Sequence, residues 1–356
     1  MSRAAVLGVV ALFSSLSLLA IEPLPAELSD EQFRRIISES SERDGHFDSD
    51  NLVSNETGFQ SVIPKLLQVT RPGGVYVGVG PEQNFTYIAA LQPRMAFVVD
   101  IRRQNTLLLL MYKALFEVSS DRADFLRRLL SRQRPSGLDP TSTAKDLMDA
   151  YSRVSPDGDL RELNLRTVLD RLVNAHGFTL SSDDTSRISY VMNAFFERGL
   201  EVTYVNPGSP NARQASLTTL MTAADPGGQP RSFLATEENF RIVQNLQKRN
   251  LIIPLTGDFA GEKAIRSIGQ YLRQFDARVT VFYTSNVERY LFGTPRAPSD
   301  AWKRFYANVA ALPVDESSTF IRTGANVEQS VLGSMSKLVA AYRDGKIQRY
   351  ADIPGQ

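Results

Sequence analysis

Short apolar runs and longer helical patterns alternate along this chain in the order that builds a parallel sheet. Residues 75–79 form an apolar run between the turn Arg71-Pro72-Gly73-Gly74 and the glycines Gly78 and Gly80, which predicts a buried strand. A helix is predicted to open at Pro81, and a second strand over 95–99 ends on Asp100. Residues 105–118 (NTLLLLMYKALFEV) read as a strongly apolar helix suited to packing on a sheet. Strand–helix–strand–helix is the signature of parallel strands joined by right-handed crossovers.

The pattern then changes. Over 119–200 four helical segments follow one another, separated by turns such as Pro135-Ser136-Gly137 and Pro156-Asp157-Gly158, which predicts an all-helical insertion. The sheet is expected to resume near 201–203 and 216–222. Further strands are expected at 251–255, 278–283 and 319–322, with helices at 236–249, 262–275 and 327–344. Upstream, 24–43 reads as a helix capped by Ser29, 44–56 as a polar loop and 59–68 as a short helix. The fold class is therefore α/β, a doubly wound, mainly parallel sheet of Rossmann-like type. Its two parts, 23–118 and 201–350, flank the insertion, and 351–356 form a tail.

The start of the chain adds one expectation. Met1-Ser2-Arg3 precedes an uncharged apolar run over 4–20, so residues 1–22 read as a signal peptide or a membrane anchor. Export or tethering to a periplasmic or extracellular location follows, or placement on the cytoplasmic face if the run is an uncleaved anchor.

Composition removes several chemistries. Among 356 residues there is no cysteine, which excludes disulfides, thiolate metal sites and a cysteine nucleophile. Two histidines, His46 and His176, leave little for a histidine metal site, and no metal is expected. Forty basic residues against thirty-nine acidic ones give no field suited to a nucleic acid, and the arginines of 122–134 read as a solvated helix face. His176, beside Gly177 at a helix end, reads as a partner for the helix dipole.

Ligands of open α/β sheets bind beyond the carboxyl ends of the strands. Four such ends carry informative side chains: Gly78 and Gly80 with Glu82, then Asp100, then Asp258, and finally Thr284, Ser285 and Asn286. Glycines let the backbone approach a ligand, and a carboxylate about twenty residues further on can accept both hydroxyls of a ribose. A dinucleotide fingerprint requires a third glycine where Gln83 stands, so the closest approach of a pyrophosphate is lost.

The stretch from Gly78 to Asp100 resembles the first motif of class I S-adenosylmethionine-dependent methyltransferases, whose ligand carries no phosphate. GVGPEQNF, DIRRQN, GDFAG and SNVE are also similar to an uncharacterised bacterial family of methyltransferase-like proteins. The resemblance implies S-adenosylmethionine as cofactor, held by Gly78, Gly80, Glu82, Asp100, Asp258, Thr284, Ser285 and Asn286, with Asp258 a candidate catalytic group. The acceptor, small molecule or protein, is not specified. Three departures stand out: Tyr76 where the family has an acid, Glu82 at its third glycine, and Phe259-Ala260 after Asp258. An exported, non-catalytic binding protein on the same fold is the alternative, and an NAD-dependent oxidoreductase is disfavoured by Gln83.

Overall fold

The computed structural model describes residues 23–205, 214–294, 296–324 and 328–355. The apolar run after Gly74 forms β1 (Val75–Gly78), and α3 (Gln83–Leu91) carries the chain to β2 (Met95–Asp100). Two helices precede them: α1 (Asp30–Ser40), closed by a Ser29–Gln32 capping box, and α2 (Ile63–Val69). Then come α4 (Arg103–Val118), α5 (Arg122–Leu130), α6 (Ala144–Ser152), α7 (Gly158–Asp170), α8 (Ser182–Arg198), α9 (Leu217–Thr222) and α10 (Glu237–Lys248). The remainder alternates: β3 (Ile252–Thr256), α11 (Ala264–Gln274), β4 (Val279–Ser285) and α12 (Val287–Phe292), then a two-residue ribbon of β5 (Gly293–Thr294) and β6 (Ala297–Pro298). Finally come α13 (Ala301–Ala310), β7 (Thr319–Thr323), β8 (Ser330–Ser334) and α14 (Met335–Arg343), followed by a short 3-10 turn over Tyr350–Asp352.

Six strands form one sheet in the order β3-β2-β1-β4-β7-β8. All neighbours are parallel except β7 and β8. Every residue of β1, β2 and β3 is buried, as expected where helices cover both faces. Pro254 is tolerated in β3 because that strand is an edge, paired on one side only. The order reverses between β1 and β4, which makes the ends of those strands the switch point.

Helix α4 is buried almost all round, because the sheet lies on one side and the helices after it on the other. Phe116 meets Phe125 of α5 with centroids 4.6 Å apart and Phe240 of α10 at 5.2 Å. The inserted helices therefore share a core with the sheet.

Three sequence expectations are corrected. The sheet does not resume at 201–203 or 216–222: Thr203 and Ser216 form an isolated bridge, and Ser216 caps α9 with its hydroxyl. The last helix is shorter than 327–344, since Ser330–Ser334 pairs with β7 as the antiparallel edge. Of the arginines of 122–134 only Arg134 is exposed: Arg122 is buried and donates to the carbonyls of Leu234 and Ala235, while Arg127 and Arg128, half-buried, hold Asp124. His176 does end a helical segment, a π turn (Arg171–Ala175) that follows α7, but it is buried with its ring nitrogens 2.6 Å from Asp30 and 2.7 Å from Glu117.

Candidate functional site

One cleft opens at the carboxyl ends of β1, β2, β3 and β4 and encloses about 880 Å³, open mouth included. Gly80, Asp100, Asp258, Ser285 and Asn286 line it. Gly78, Glu82 and Thr284 do not.

The glycine turn is built for tight packing at its first glycine and for conformation at its second. A Cβ on Gly78 would fall 2.0 Å from Asn84 Oδ1, and Asn84 Nδ2 donates to the carbonyls of Val79, Gly80 and Pro81. Asn84 is thus the internal brace of the turn, and Tyr76 donates its hydroxyl to the same Oδ1 at 2.8 Å. Gly78→Ala is expected to cost about 1–3 kcal/mol by overpacking, read as a lower denaturant midpoint at unchanged slope. Gly80 has φ +79°, a left-handed conformation that favours glycine. The Gln83 amide lies against Gly80, reaches Tyr283 Oη at 3.3 Å and faces the cleft.

Asp100 is buried at the end of β2 with its carboxylate oriented by Arg102. The Arg102 backbone N–H and Nε donate to Oδ1 at 2.9 and 3.1 Å, while Nη1 donates to the carbonyl of Ser49 at 2.7 Å. Both side chains line the cleft. Asp258, half-buried after β3, sits two strands from the switch point, beside the start of α11. That helix start is occupied from within: Glu42 accepts the N–H groups of Asp258, Lys263 and Ala264 at 3.1, 2.8 and 3.0 Å.

Across the switch point, Ser285 ends β4 with φ +53°, a conformation that costs a non-glycine residue on the order of 1–3 kcal/mol. Its hydroxyl donates to Glu56 Oε1, which also accepts from Thr323 at 2.5 Å. Thr284 is buried in the sheet, its hydroxyl directed at the carbonyl of Ile321. Glu82 lies beneath the turn, where its Oε1 accepts the Ser54 N–H at 3.2 Å and burial pushes its carboxyl up to about 7.

Sequence reasoning missed the front wall. The polar segment 44–56 folds over the strand ends and contributes Phe47, Asn51, Val53, Ser54 and Asn55. Phe47 meets Tyr290 of α12 edge to face, 5.2 Å apart, and Tyr204 follows the inserted helices into the same wall. A lone phenylalanine in a polar loop gave no periodicity by which to find it. Among the described residues no cluster of three or more His, Asp or Glu side chains is arranged to hold a metal ion, and no helix is long and apolar enough to cross a membrane. The expected signal or anchor over 1–22 lies outside the described residues.

A comparison with curated proteins gives no match. A family match covers residues 51–138 and 211–350, most of the chain, and its gap falls among the inserted helices. The chain belongs to the family described as Domain of unknown function (DUF7790), on a Rossmann-like α/β fold.

Proposed function

We propose that the cleft binds S-adenosylmethionine and that the protein transfers its methyl group to an acceptor. The observation that carries this reading is a convergence at the switch point. A left-handed glycine turn, an oriented carboxylate on the next strand and a polar turn at Ser285–Asn286 share one largely apolar cleft. Gln83 occupies the approach to the turn that a diphosphate would need, which favours a ligand without phosphates over a dinucleotide.

The strand order sets the ligand's direction. With the ribose hydroxyls on Asp100, the base extends toward Ile101 and Phe259 on the β3 side, where Asp258 can accept from its amino group. The sulfonium then lies toward β1 and β4, near Ser285 and Asn286. Methyl transfer from a sulfonium is driven by alignment of donor and acceptor, which a site built from the ends of packed strands suits. No residue is assigned to removing a proton from the acceptor.

Calorimetric titration tests this reading. The wild-type protein is expected to bind one S-adenosylmethionine. Asp100→Asn keeps an acceptor for Arg102 but loses the charge, and is expected to bind about 10–100-fold more weakly. Absence of binding to the folded protein, or binding unaffected by the substitution, would overturn the reading and favour a non-catalytic role for the fold.

A further inference from the structure

Buried carboxylates in this protein come with cations. Asp100 has Arg102, Glu117 has Lys113, Asp124 has Arg127 and Arg128, Asp184 has Arg103, Asp225 has Arg231 and Glu288 has Arg322. Glu56 does not. It is 2% exposed, and among the described residues no cation lies within ion-pair distance of it. One oxygen accepts from Ser285 and Thr323, and the other, Oε2, is buried with no partner within hydrogen-bond distance among the described residues. A buried carboxyl with an orphan oxygen is costly, and native structures keep such groups where something else completes them.

Its position says what completes it. Glu56 follows the cleft-lining Ser54 and Asn55 in sequence, and it holds the hydroxyl of Ser285, which also lines the cleft. Arg289, whose charge acts on Glu56, makes its hydrogen bonds elsewhere, to the carbonyl of Gly324 and to Tyr350 Oη at 3.3 Å. Among the described residues Glu82 is the other buried carboxyl without a cation, and its Oε2 also lacks a partner, but it sits at the start of α3, where the helix dipole offers positive potential, and outside the cleft lining. Glu56 lies instead beside the end of β4, on the side of the cleft toward which the ligand's sulfonium is directed.

We infer that Glu56 is the counter-charge for a permanently cationic ligand, and that through it the cleft prefers the sulfonium of S-adenosylmethionine to the neutral thioether of S-adenosylhomocysteine. The inference rests on the proposed reading of the cleft. A carboxylate behind one hydroxyl, in a poorly screened interior, attracts a sulfonium and leaves a thioether of the same shape almost unaffected. The discrimination would hold the charged donor and release the neutral product.

The groups facing Glu56 are the hydroxyls of Ser285, Thr323 and Tyr283, the more distant rings of Tyr76 and Tyr87, and Arg289. Burial raises the Glu56 carboxyl above its ordinary range and the hydrogen bonds from Ser285 and Thr323 oppose this. A raised acid loses its charge as pH falls, so the preference for the sulfonium should shrink toward acid pH.

The test is a pair of calorimetric titrations, with S-adenosylmethionine and with S-adenosylhomocysteine, on wild type and on Glu56→Gln. Glutamine retains the acceptor for Ser285 and Thr323. S-adenosylmethionine is expected to weaken about tenfold or more and S-adenosylhomocysteine less than about threefold, so the ratio collapses. An unchanged ratio would overturn the counter-charge while leaving the nucleoside site standing. Binding of neither ligand to wild type would overturn both. Should Glu56→Gln fail to fold, the wild-type ratio measured from pH 8 down to about pH 5 decides: it should fall with pH, and a constant ratio would contradict the inference.

Discussion

Glu117→Gln is expected to unfold at a free energy about 3–5 kcal/mol below wild type, because it strands a buried lysine. Lys113 and Glu117, one turn apart on α4, are each 1% exposed and meet at 2.6 Å. Burial pulls the Lys113 ammonium below its ordinary range, and the Glu117 charge does most to restore it. Arg171 and His176 add hydrogen bonds to the second oxygen at 2.7 Å each, and His176 passes the link to Asp30 of α1. One carboxylate therefore joins the α4 core, the π turn and the first helix.

The same residue fixes a pH dependence. Burial alone would raise the Glu117 carboxyl, but the hydrogen bond from His176, the Lys113 charge and the bonds from Lys113 and Arg171 outweigh it and bring the group to about 2. A depressed acid contributes stability that is present above its unfolded value of 4.5 and lost as pH falls toward 2. The gap between 4.5 and about 2 corresponds to about 3 kcal/mol. Denaturant midpoints should therefore separate wild type from Glu117→Gln at pH 7 and converge toward pH 3. A separation constant across that range would show that the loss comes from packing.

Arg322→Met should cost a similar amount, about 3–5 kcal/mol, by leaving Glu288 buried and unpaired. Arg322 Nε and Nη2 donate to Glu288 at 2.5 and 3.2 Å, both side chains are nearly inaccessible, and Tyr306 Oη donates to the same carboxylate at 2.8 Å. The pair ties β7 to α12, the helix that carries Tyr290 and Leu291 into the cleft wall. Replacing both members by apolar residues removes the stranded charge, so Arg322→Met with Glu288→Leu should recover more than half of the loss. A double variant as unstable as the single one would locate the defect in the shape of the α12 seat. Loss of ligand binding in the single variant, regained in the double, would connect this pair to the cleft.

The strands flanking the switch point were legible because parallel sheets leave long apolar runs between turn residues, as in Val75–Gly78 and Val279–Ser285. Ser29 and Glu237–Glu238 marked their helix starts for equally local reasons. Legibility failed where pairing decided the structure. Ser330–Ser334 is a strand only because β7 lies beside it, and Leu217–Thr222, rich in threonine, is helical because Ser216 caps it and its apolar side is buried. Within the site, residues at strand ends were found and residues arriving from elsewhere were not. Phe47 and Glu56 come from a loop whose composition suggested solvent, and Glu42 from a stretch read as the end of the first helix; their roles depend on the elements they fold against. Gly78 had a packing reason and Gly80 a conformational one, a distinction that spacing alone did not make.

A crystal structure of the protein with S-adenosylmethionine at saturating concentration tests the central claim most directly. The ligand is expected in the switch-point cleft, its ribose hydroxyls within hydrogen-bond reach of Asp100, its base toward Phe259 and its sulfonium toward Ser285 and Glu56. An empty cleft, or the ligand bound away from Gly80 and Asp100, would contradict the account.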